Sequence, residues 1–277
     1  MSAAGPEPGR RAAALRLAVS LFTVLPVPTD HDAELGRSQA ARALHWLPAV
    51  GAGLGLLSAM PALAVWRGGA GNSVLLAAVL VVGLHALLTR GLHLDGLADL
   101  ADGLGSGRPA EQALAVMRRS DIGPFGVAAI LTTVLLQVTA LGAILPDGSR
   151  PQALVAISTA VMIGRVAAVW AAGTGIPAAR PGGFGSLVAA SASRPARVAS
   201  TVAALTAATG GGLLAGERGS ALIALTGSAL AGLVIAGLVR RHAVRRLGGV
   251  TGDVFGALIE IGTTGTLVVL AATLTWR

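Results

Sequence analysis

Runs of about 20 apolar residues recur along this chain and constrain its fold more than any other feature. Seven such runs can be counted, at 43–66, 72–94, 122–145, 151–172, 198–216, 219–239 and 254–276. Twenty helical residues, at about 1.5 Å each, cross the roughly 30 Å hydrocarbon core of a bilayer. Charged residues make up only 12% of the chain, whereas a soluble domain has about a quarter. The sequence therefore predicts an all-α, polytopic transmembrane helical bundle with about seven spans, in a single domain over residues 1–277.

The N-terminal stretch 11–25 is apolar but too short to span comfortably, and it contains Arg11 and Arg16. This pattern predicts a helix that lies in the membrane interface, preceded by a disordered tail over residues 1–10. A cleaved signal peptide is not expected, because Pro26-Val27-Pro28 stands where a small-residue cleavage site would follow the apolar segment.

The basic residues predict the orientation, since short loops rich in Lys and Arg remain cytoplasmic. All 21 basic residues are arginines, and 16 of them fall in the N-terminal segment and the loops on one predicted side. Arg67, Arg150, Arg218 and Arg277 fall on the other side, and Arg165 lies inside the fourth span. We therefore expect a multi-pass protein of the inner or plasma membrane, with the N-terminus in the cytoplasm and the C-terminus outside.

Two further counts exclude classes of function. Aromatic residues are only 3% of the chain and no basic helix stands free of the membrane, so we expect no nucleic acid partner. The absence of cysteine excludes thiolate and zinc–sulfur chemistry.

Acidic residues concentrate in the loop between the second and third predicted spans. Asp95, Asp99 and Asp102 occur in LHLDGLADLADGLG at spacings i, i+4 and i+7, which place them on one face of a helix. Three carboxylates on one stripe repel each other unless a cation lies between them. Oxygen ligands without His or Cys favour Mg²⁺, with Mn²⁺ as the alternative. The competing interpretation is a solvated helix end, but its neighbours are Leu, Ala and Gly rather than mixed charges.

The next segment, MRRSDIGPFG, brings Arg118, Arg119, Ser120 and Asp121 to the start of the third span. Arginines beside a metal offer paired donors to phosphate oxygens, so Arg118, Arg119 and Ser120 are candidate phosphate-binding residues. The alternative is an anchor that keeps this loop in the cytoplasm.

The segment GGVTGDVFGALIE opens the last span on the same predicted side. Asp253 and Glu260 are seven residues apart and share a helix face, and Gly252 would let the backbone approach a phosphate closely. Helix capping explains Asp253 equally well, but it does not explain Glu260, two turns inside the span. Gly252, Asp253 and Glu260 are therefore candidate substrate- or phosphate-binding residues. We expect His85 and His93 to bond between helices, and Arg165 to pair with an acid or with carbonyls in the bundle.

Hard-metal carboxylates with arginines in reach, and no serine–histidine pattern, indicate transfer of a phosphoryl-linked group at the cytoplasmic membrane face. The residue pattern alone leaves the substrates open.

Three segments, LHLDGLADLADGL, MRRSDIGPFGVAAI and RRLGGVTGDVFGALIE, resemble the signature segments of the cobalamin synthase (adenosylcobinamide-GDP ribazoletransferase) family. LFTVLPVP at 21–28 and RSQAARALHWLPAVGAGLG at 37–55 add to the likeness, which extends from about residue 15 to 265.

The resemblance implies transfer of adenosylcobinamide phosphate from adenosylcobinamide-GDP to α-ribazole or its 5′-phosphate, with release of GMP, in the last steps of cobalamin biosynthesis. It implies metal ligation by Asp95, Asp99 and Asp102, and a supporting role for Asp121 and Asp253. The four residues Asp95, Asp99, Asp102 and Asp121 are accordingly the predicted catalytic acids. The number of metal ions, the identity of the base and the preferred ribazole form stay open, and a homo-oligomer is compatible with the sequence.

Two alternatives come from other readings of the acids. A CDP-alcohol-type phosphatidyltransferase would share the metal and the reaction type, but its DG…AR pattern is interrupted here because Asp99 follows Ala98. A divalent-cation transporter would carry its acids near the bilayer midplane, whereas all of the clustered acids except Glu260 lie at one boundary here.

Overall fold

The computed structural model describes residues 8–28, 35–66, 72–147 and 149–275, and within these ranges all regular elements are helices. The predicted all-α class is confirmed. Arg67, Arg277 and residues 1–7 of the predicted tail lie outside the described residues. The helices are α1 (Pro8–Phe22), α2 (Arg37–Leu44), α3 (Leu47–Val65), α4 (Asn72–Leu88), α5 (Leu92–Gly105), α6 (Ala110–Val116), α7 (Pro124–Asp147), α8 (Arg150–Ala171), α9 (Gly183–Val188), α10 (Arg194–Leu214), α11 (Ser220–Leu247) and α12 (Gly252–Thr275).

Five of these helices are individually long and apolar enough to cross a membrane, namely α3, α7, α8, α11 and α12. They correspond to five of the seven predicted spans. The fifth predicted span, 198–216, is helix α10, which is 21 residues long but is not among them. Its two arginines and its threonines and glycines lower its hydropathy. Helix α1, with 15 residues, is too short to cross, as predicted for an interfacial helix.

The second predicted span, 72–94, is broken rather than continuous. Helix α4 ends at Leu88, and α5 departs from it at an angle of 89°. Arg90 and Gly91 have φ values of 55° and 67°, and the Gly91 amide donates to the Ala86 carbonyl at 2.8 Å. This left-handed pair ends α4. Neither α4 nor α5 is long and apolar enough to cross a membrane alone, but together they are, as a broken span or a re-entrant pair.

Helices α8 and α12 form the centre of the bundle. In the most apolar 18-residue stretch of each helix, 78% of α8 and 83% of α12 is buried, compared with 22% of α7 and 33% of α11. Gly164 of α8 lies against the backbone carbonyl of Ile259, where any side chain would overlap it. Small residues at this crossing therefore allow the two central helices to pack backbone to backbone, as is usual between membrane helices.

Three loops meet at one end of the bundle. The loop between α8 and α9 pairs with the loop between α11 and α12, because the Val250 amide donates to the Pro177 carbonyl at 2.9 Å and the Ala179 amide donates to the Val250 carbonyl at 3.0 Å. The α5–α7 segment joins them through contacts described below. The N-terminal helix closes the same end, since Phe22 stacks on His93 at 6.3 Å between ring centroids and meets Phe184 edge-on at 5.2 Å.

Candidate active site

The acidic stripe predicted from the sequence lies on one short helix. Asp95, Asp99 and Asp102 are all on α5, which is 14 residues long and therefore about 21 Å, too short to cross a bilayer alone. Asp95 is exposed, Asp99 is half-buried and Asp102 is 9% exposed. The stripe therefore passes from solvent into the protein along the helix.

The start of α12 packs directly on this stripe. A Cβ on Gly96 would lie 2.8 Å from the carbonyl oxygen of Asp253 and 3.0 Å from its Cα, so only glycine permits the contact. One turn later in α12, Gly256 is similarly close to the backbone of His93. The two acidic segments, more than 150 residues apart in sequence, are thus brought together as predicted.

The electrostatics of Asp99 reflect this crowding of carboxylates. Burial, followed by the charges of Asp253 and Asp95, raises the pKa of Asp99 to about 7, while Arg180 acts in the opposite direction. Each neighbouring carboxylate makes the next one harder to ionise, so a cation in this cluster would be stabilising.

Asp102 has a structural role in addition to its place in the stripe. Its carboxylate accepts hydrogen bonds from the Gly123 amide at 2.7 Å and the Gly126 amide at 2.9 Å, at the N-terminus of α7. A carboxylate in this position satisfies amides that the helix cannot bond and interacts favourably with its dipole. It ties the acidic helix to α7, and one lone pair on each oxygen is left for another partner.

Arg180 was predicted only as part of a cytoplasmic loop, but it belongs to the site. The paired loops carry it to Asp253, where the guanidinium Nη2 lies 3.3 Å from Oδ2. Thr251 donates from its hydroxyl to the same oxygen at 3.1 Å and accepts from the Val254 amide at 3.3 Å, capping α12. The pairing of distant loops, which creates this contact, has no sequence signal.

The four polar residues of MRRSDIGPFG lie at the edge of the cluster. Arg118, Arg119, Ser120 and Asp121 are all exposed. Their side chains form no hydrogen bond or ion pair with any other described residue. Asp102 fixes the adjacent Gly123, so these side chains stand beside the acidic helix and are free to bind a ligand. Their predicted roles in phosphate and metal binding stay predictions.

Gly252 and Glu260 differ from the arrangement expected for ligand-binding groups. Gly252 opens α12, but a Cβ there would meet no atom within 4 Å, so no close backbone approach requires glycine. Glu260 is 3% exposed and accepts from Gln137 Nε2 at 2.9 Å. This enclosed position favours an internal role over substrate binding.

Glu260 belongs to a polar cluster inside the bundle. Ligand atoms of His85, His93 and Glu260 lie within 4.8 Å of one another. Arg165 Nη2 lies 3.2 Å from His85 Nε2 and 3.4 Å from His93 Nδ1, and Nη1 donates to the Val161 carbonyl at 3.3 Å. The expected bonding of these histidines between helices is therefore found. The guanidinium in their midst opposes a metal cation at this position.

The aspartates have the chemistry of a hard-cation site but are not drawn tightly together. Among the described residues, no three of them bring ligand atoms within 4.8 Å of one another. Mg²⁺ usually keeps several water ligands and takes only one or two carboxylates directly. The all-oxygen set of Asp95, Asp99 and Asp253, open to solvent on one side, suits such a hydrated ion.

Comparison with known proteins covers almost the whole chain. A family model described as cobalamin-5-phosphate synthase matches residues 14–271. A Frankia casuarinae protein named adenosylcobinamide-GDP ribazoletransferase is 41% identical over 268 residues, which are 94% of each chain. Relatives of the same name from Bradyrhizobium diazoefficiens and a Nocardioides species are each 39% identical, over 93% and 94% of this chain and 93% and 98% of their own. No solved structure matches.

Proposed function

Because the chain belongs to the cobalamin-5-phosphate synthase family, we propose that it is a membrane-embedded adenosylcobinamide-GDP ribazoletransferase. The match carries this proposal, since it spans residues 14–271 and contains the three segments that build the acidic site. In the reaction, a ribazole hydroxyl oxygen bonds to the phosphorus of adenosylcobinamide phosphate. The bond from that phosphorus to the GMP oxygen breaks, and GMP leaves with the bonding electrons.

The residues around α5 fit the demands of this transfer. The carboxylates of Asp95, Asp99 and Asp253 would hold Mg²⁺, which when bound neutralises phosphate charge and polarises phosphoryl oxygens. A carboxylate of the same cluster accepts the proton from the attacking hydroxyl. Asp102 keeps the cluster in register with α7, and Asp121 stands at its edge as a further acid.

The diphosphate is the part of the substrate that the arginines recognise. Arg118 and Arg119 are exposed and have no partner among the described residues, so their guanidinium groups are available to phosphate oxygens. Ser120 adds a hydroxyl donor in the same segment. Arg180, which contacts Asp253, supplies a third positive charge.

The site faces the cytoplasm in this proposal, and the protein is a multi-pass component of the inner or plasma membrane. The arginine bias between the two ends of the helices supports this orientation. Cysteines introduced at Ser106 and Ser193 should react with an impermeant thiol reagent only from the cytoplasmic side, and a cysteine at Ser149 only from outside. The reverse labelling pattern would contradict the orientation. A homo-oligomer stays a prediction.

The activity can be tested on the purified protein in lipid nanodiscs. With adenosylcobinamide-GDP and α-ribazole or its 5′-phosphate, we expect GMP and the cobalamin product in equal amounts, dependent on Mg²⁺ or Mn²⁺ and lost in EDTA. CDP-diacylglycerol with an alcohol acceptor should give no CMP. Turnover of the lipid substrate alone would support a phosphatidyltransferase instead. Undiminished turnover in EDTA would remove the metal from the proposal while leaving the transferase assignment.

A further inference from the structure

A groove between α8 and α11 lies apart from the acidic site, on the flank of the bundle. It has a volume of about 190 Å³ and is lined by Ala167 and Trp170 of α8 and by Leu233, Val234, Gly237 and Arg240 of α11. Val234 and its neighbour Leu238 are 61% and 59% exposed. Since α11 is one of the membrane-crossing helices, this groove opens towards lipid.

One end of the groove carries an unusual concentration of positive charge. Arg240 Nη1 donates to the Trp170 carbonyl at 2.8 Å. The guanidinium carbon of Arg197 lies 4.9 Å from the centre of the Trp170 ring, a cation–π contact. Arg240 and Arg197, which both contact Trp170, form the arginine rim.

No acid among the described residues forms an ion pair with the arginine rim. Within residues 8–28, 35–66, 72–147 and 149–275, the one ion pair is that of Arg180 with Asp253. Two guanidinium groups held beside one half-buried indole repel each other, and an anion between them would relieve that repulsion. The arrangement therefore suits an anion supplied from outside the described protein.

The position of the rim along α11 identifies the kind of anion. The apolar part of α11 ends at residue 239, and Arg240 follows at once. The arginines thus lie at the level where hydrocarbon gives way to head groups, and the groove continues from them into the hydrocarbon. Trp170, with its indole N–H donated to Thr201 at 2.9 Å, is an aromatic residue of the kind that favours this level.

From this geometry we propose that the groove binds an anionic phospholipid, with its phosphate on Arg240 and Arg197 and one acyl chain against Leu233, Val234 and Gly237. A free phosphate or nucleotide would satisfy the charges but leave the apolar groove unused. A zwitterionic lipid would fill the groove but carry its own positive charge to the rim. Only an anionic lipid matches both halves of the site.

The test uses the purified full-length protein in detergent and native mass spectrometry with phosphatidylglycerol or phosphatidylcholine of identical acyl chains. We expect one phosphatidylglycerol to remain bound at concentrations where phosphatidylcholine does not. Arg240→Ala and Arg197→Ala should each weaken phosphatidylglycerol binding about fivefold, the effect of one arginine beside an anionic head group. Arg245→Ala is the matched control, since it removes an exposed arginine from the same helix but away from the groove.

A second variant tests the acyl half of the site without changing charge. A Cβ on Gly237 would meet no atom within 4 Å, so Gly237→Leu can fill the groove without disturbing the packing. It should abolish tight phosphatidylglycerol binding while the melting temperature without lipid is unchanged or higher. Displacement of the lipid by inorganic phosphate would indicate an anion site without an acyl part. Equal binding of both lipids, equal loss in Arg245→Ala, or full binding in Gly237→Leu would each overturn the proposal.

Discussion

Arg180 lies 3.3 Å from Asp253, in the one ion pair among the residues that the structure describes. The two residues come from different loops, and their side chains are 23% and 22% exposed. A partly exposed pair adds little to stability. Instead, the contact neutralises Asp253, one of the acids that would otherwise repel each other or bind a cation.

Replacing Arg180 should change the affinities for the nucleotide substrate and for Mg²⁺ in opposite directions. In Arg180→Gln, we expect a KM for adenosylcobinamide-GDP about tenfold higher, because a donor to phosphate is lost. The Mg²⁺ concentration for half-maximal rate should fall, because Asp253 is no longer neutralised. Steady-state kinetics over a Mg²⁺ titration measure both, with Arg245→Gln as the control. A parallel rise of both constants would show that Arg180 holds the metal site together instead.

The aspartates of α5 should all be needed for activity but should differ in stability. Asp95→Asn, Asp99→Asn and Asp102→Asn are each expected to abolish turnover while the protein still inserts, because each keeps the side-chain size. The first two remove a charge from the metal site, and the third weakens the link between the acidic helix and α7. Asp102→Asn alone should also lower the melting temperature. An amide oxygen can accept from only one of the two α7 amides without rearrangement, and an unsatisfied buried amide costs about 1–3 kcal/mol.

Melting curves of the purified variants check this difference. Asp99→Asn should be at least as stable as the parent protein, since the substitution relieves repulsion among carboxylates. Parent-level turnover by Asp95→Asn or Asp99→Asn would contradict the metal assignment. An unchanged melting temperature for Asp102→Asn would contradict the helix-capping role.

The contact between α5 and α12 can be tested at Gly96. Gly96→Ala places a Cβ 2.8 Å from the carbonyl oxygen of Asp253, so the two helices must move apart. We expect a loss of at least tenfold in kcat together with a lower melting temperature. Gly83→Ala is the matched control, because a Cβ at this position would meet no neighbouring atom within 4 Å. The control should be neutral or stabilising by about 0.5–1 kcal/mol, as for alanine in a helix interior.

Arg118 and Arg119 should contribute to transition-state binding. Charge that develops on departing GMP is bound most tightly in the transition state, so Arg→Ala at the more important position should lower kcat as well as raise KM. Loss of one such donor costs about 3 kcal/mol, or about a hundredfold in rate. Rates normalised to folded protein make the comparison.

Lysine substitutions distinguish this role from a topological one. Arg118→Lys and Arg119→Lys keep the positive charge on the loop but lose the paired donors of the guanidinium. If both variants retain the parent kcat and KM, the arginines only keep the loop in the cytoplasm. A reduced amount of inserted protein with unchanged turnover would lead to the same conclusion.

Hydropathy and spacing predicted the features that depend on local sequence. The apolar runs, the face shared by Asp95, Asp99 and Asp102, and the common side of the two acidic segments all follow from helical periodicity and charge. The break between α4 and α5 was missed because His85 to Leu94 is apolar enough to continue a span, although Gly91 is a typical helix terminator. Arg180 and the second role of Asp102 depend on loops that meet only in three dimensions, so no local pattern indicates them.

The guanidinium of Arg165 also has a consequence for how the chain is made. An arginine at the centre of a helix costs about 2.5–3.5 kcal/mol when the helix enters the bilayer through the insertion machinery, and Arg165, in the second half of α8, costs up to that amount. His85 and His93 are synthesised before Arg165 and can receive it, but Glu260 follows 95 residues later. During synthesis, α8 therefore depends on the earlier helices α4 and α5 for polar partners. The carboxylate of Glu260 becomes available only after α12 has been synthesised. In a nascent chain interrupted before α12, Arg165 would have its histidine partners but would lack the opposite charge of Glu260.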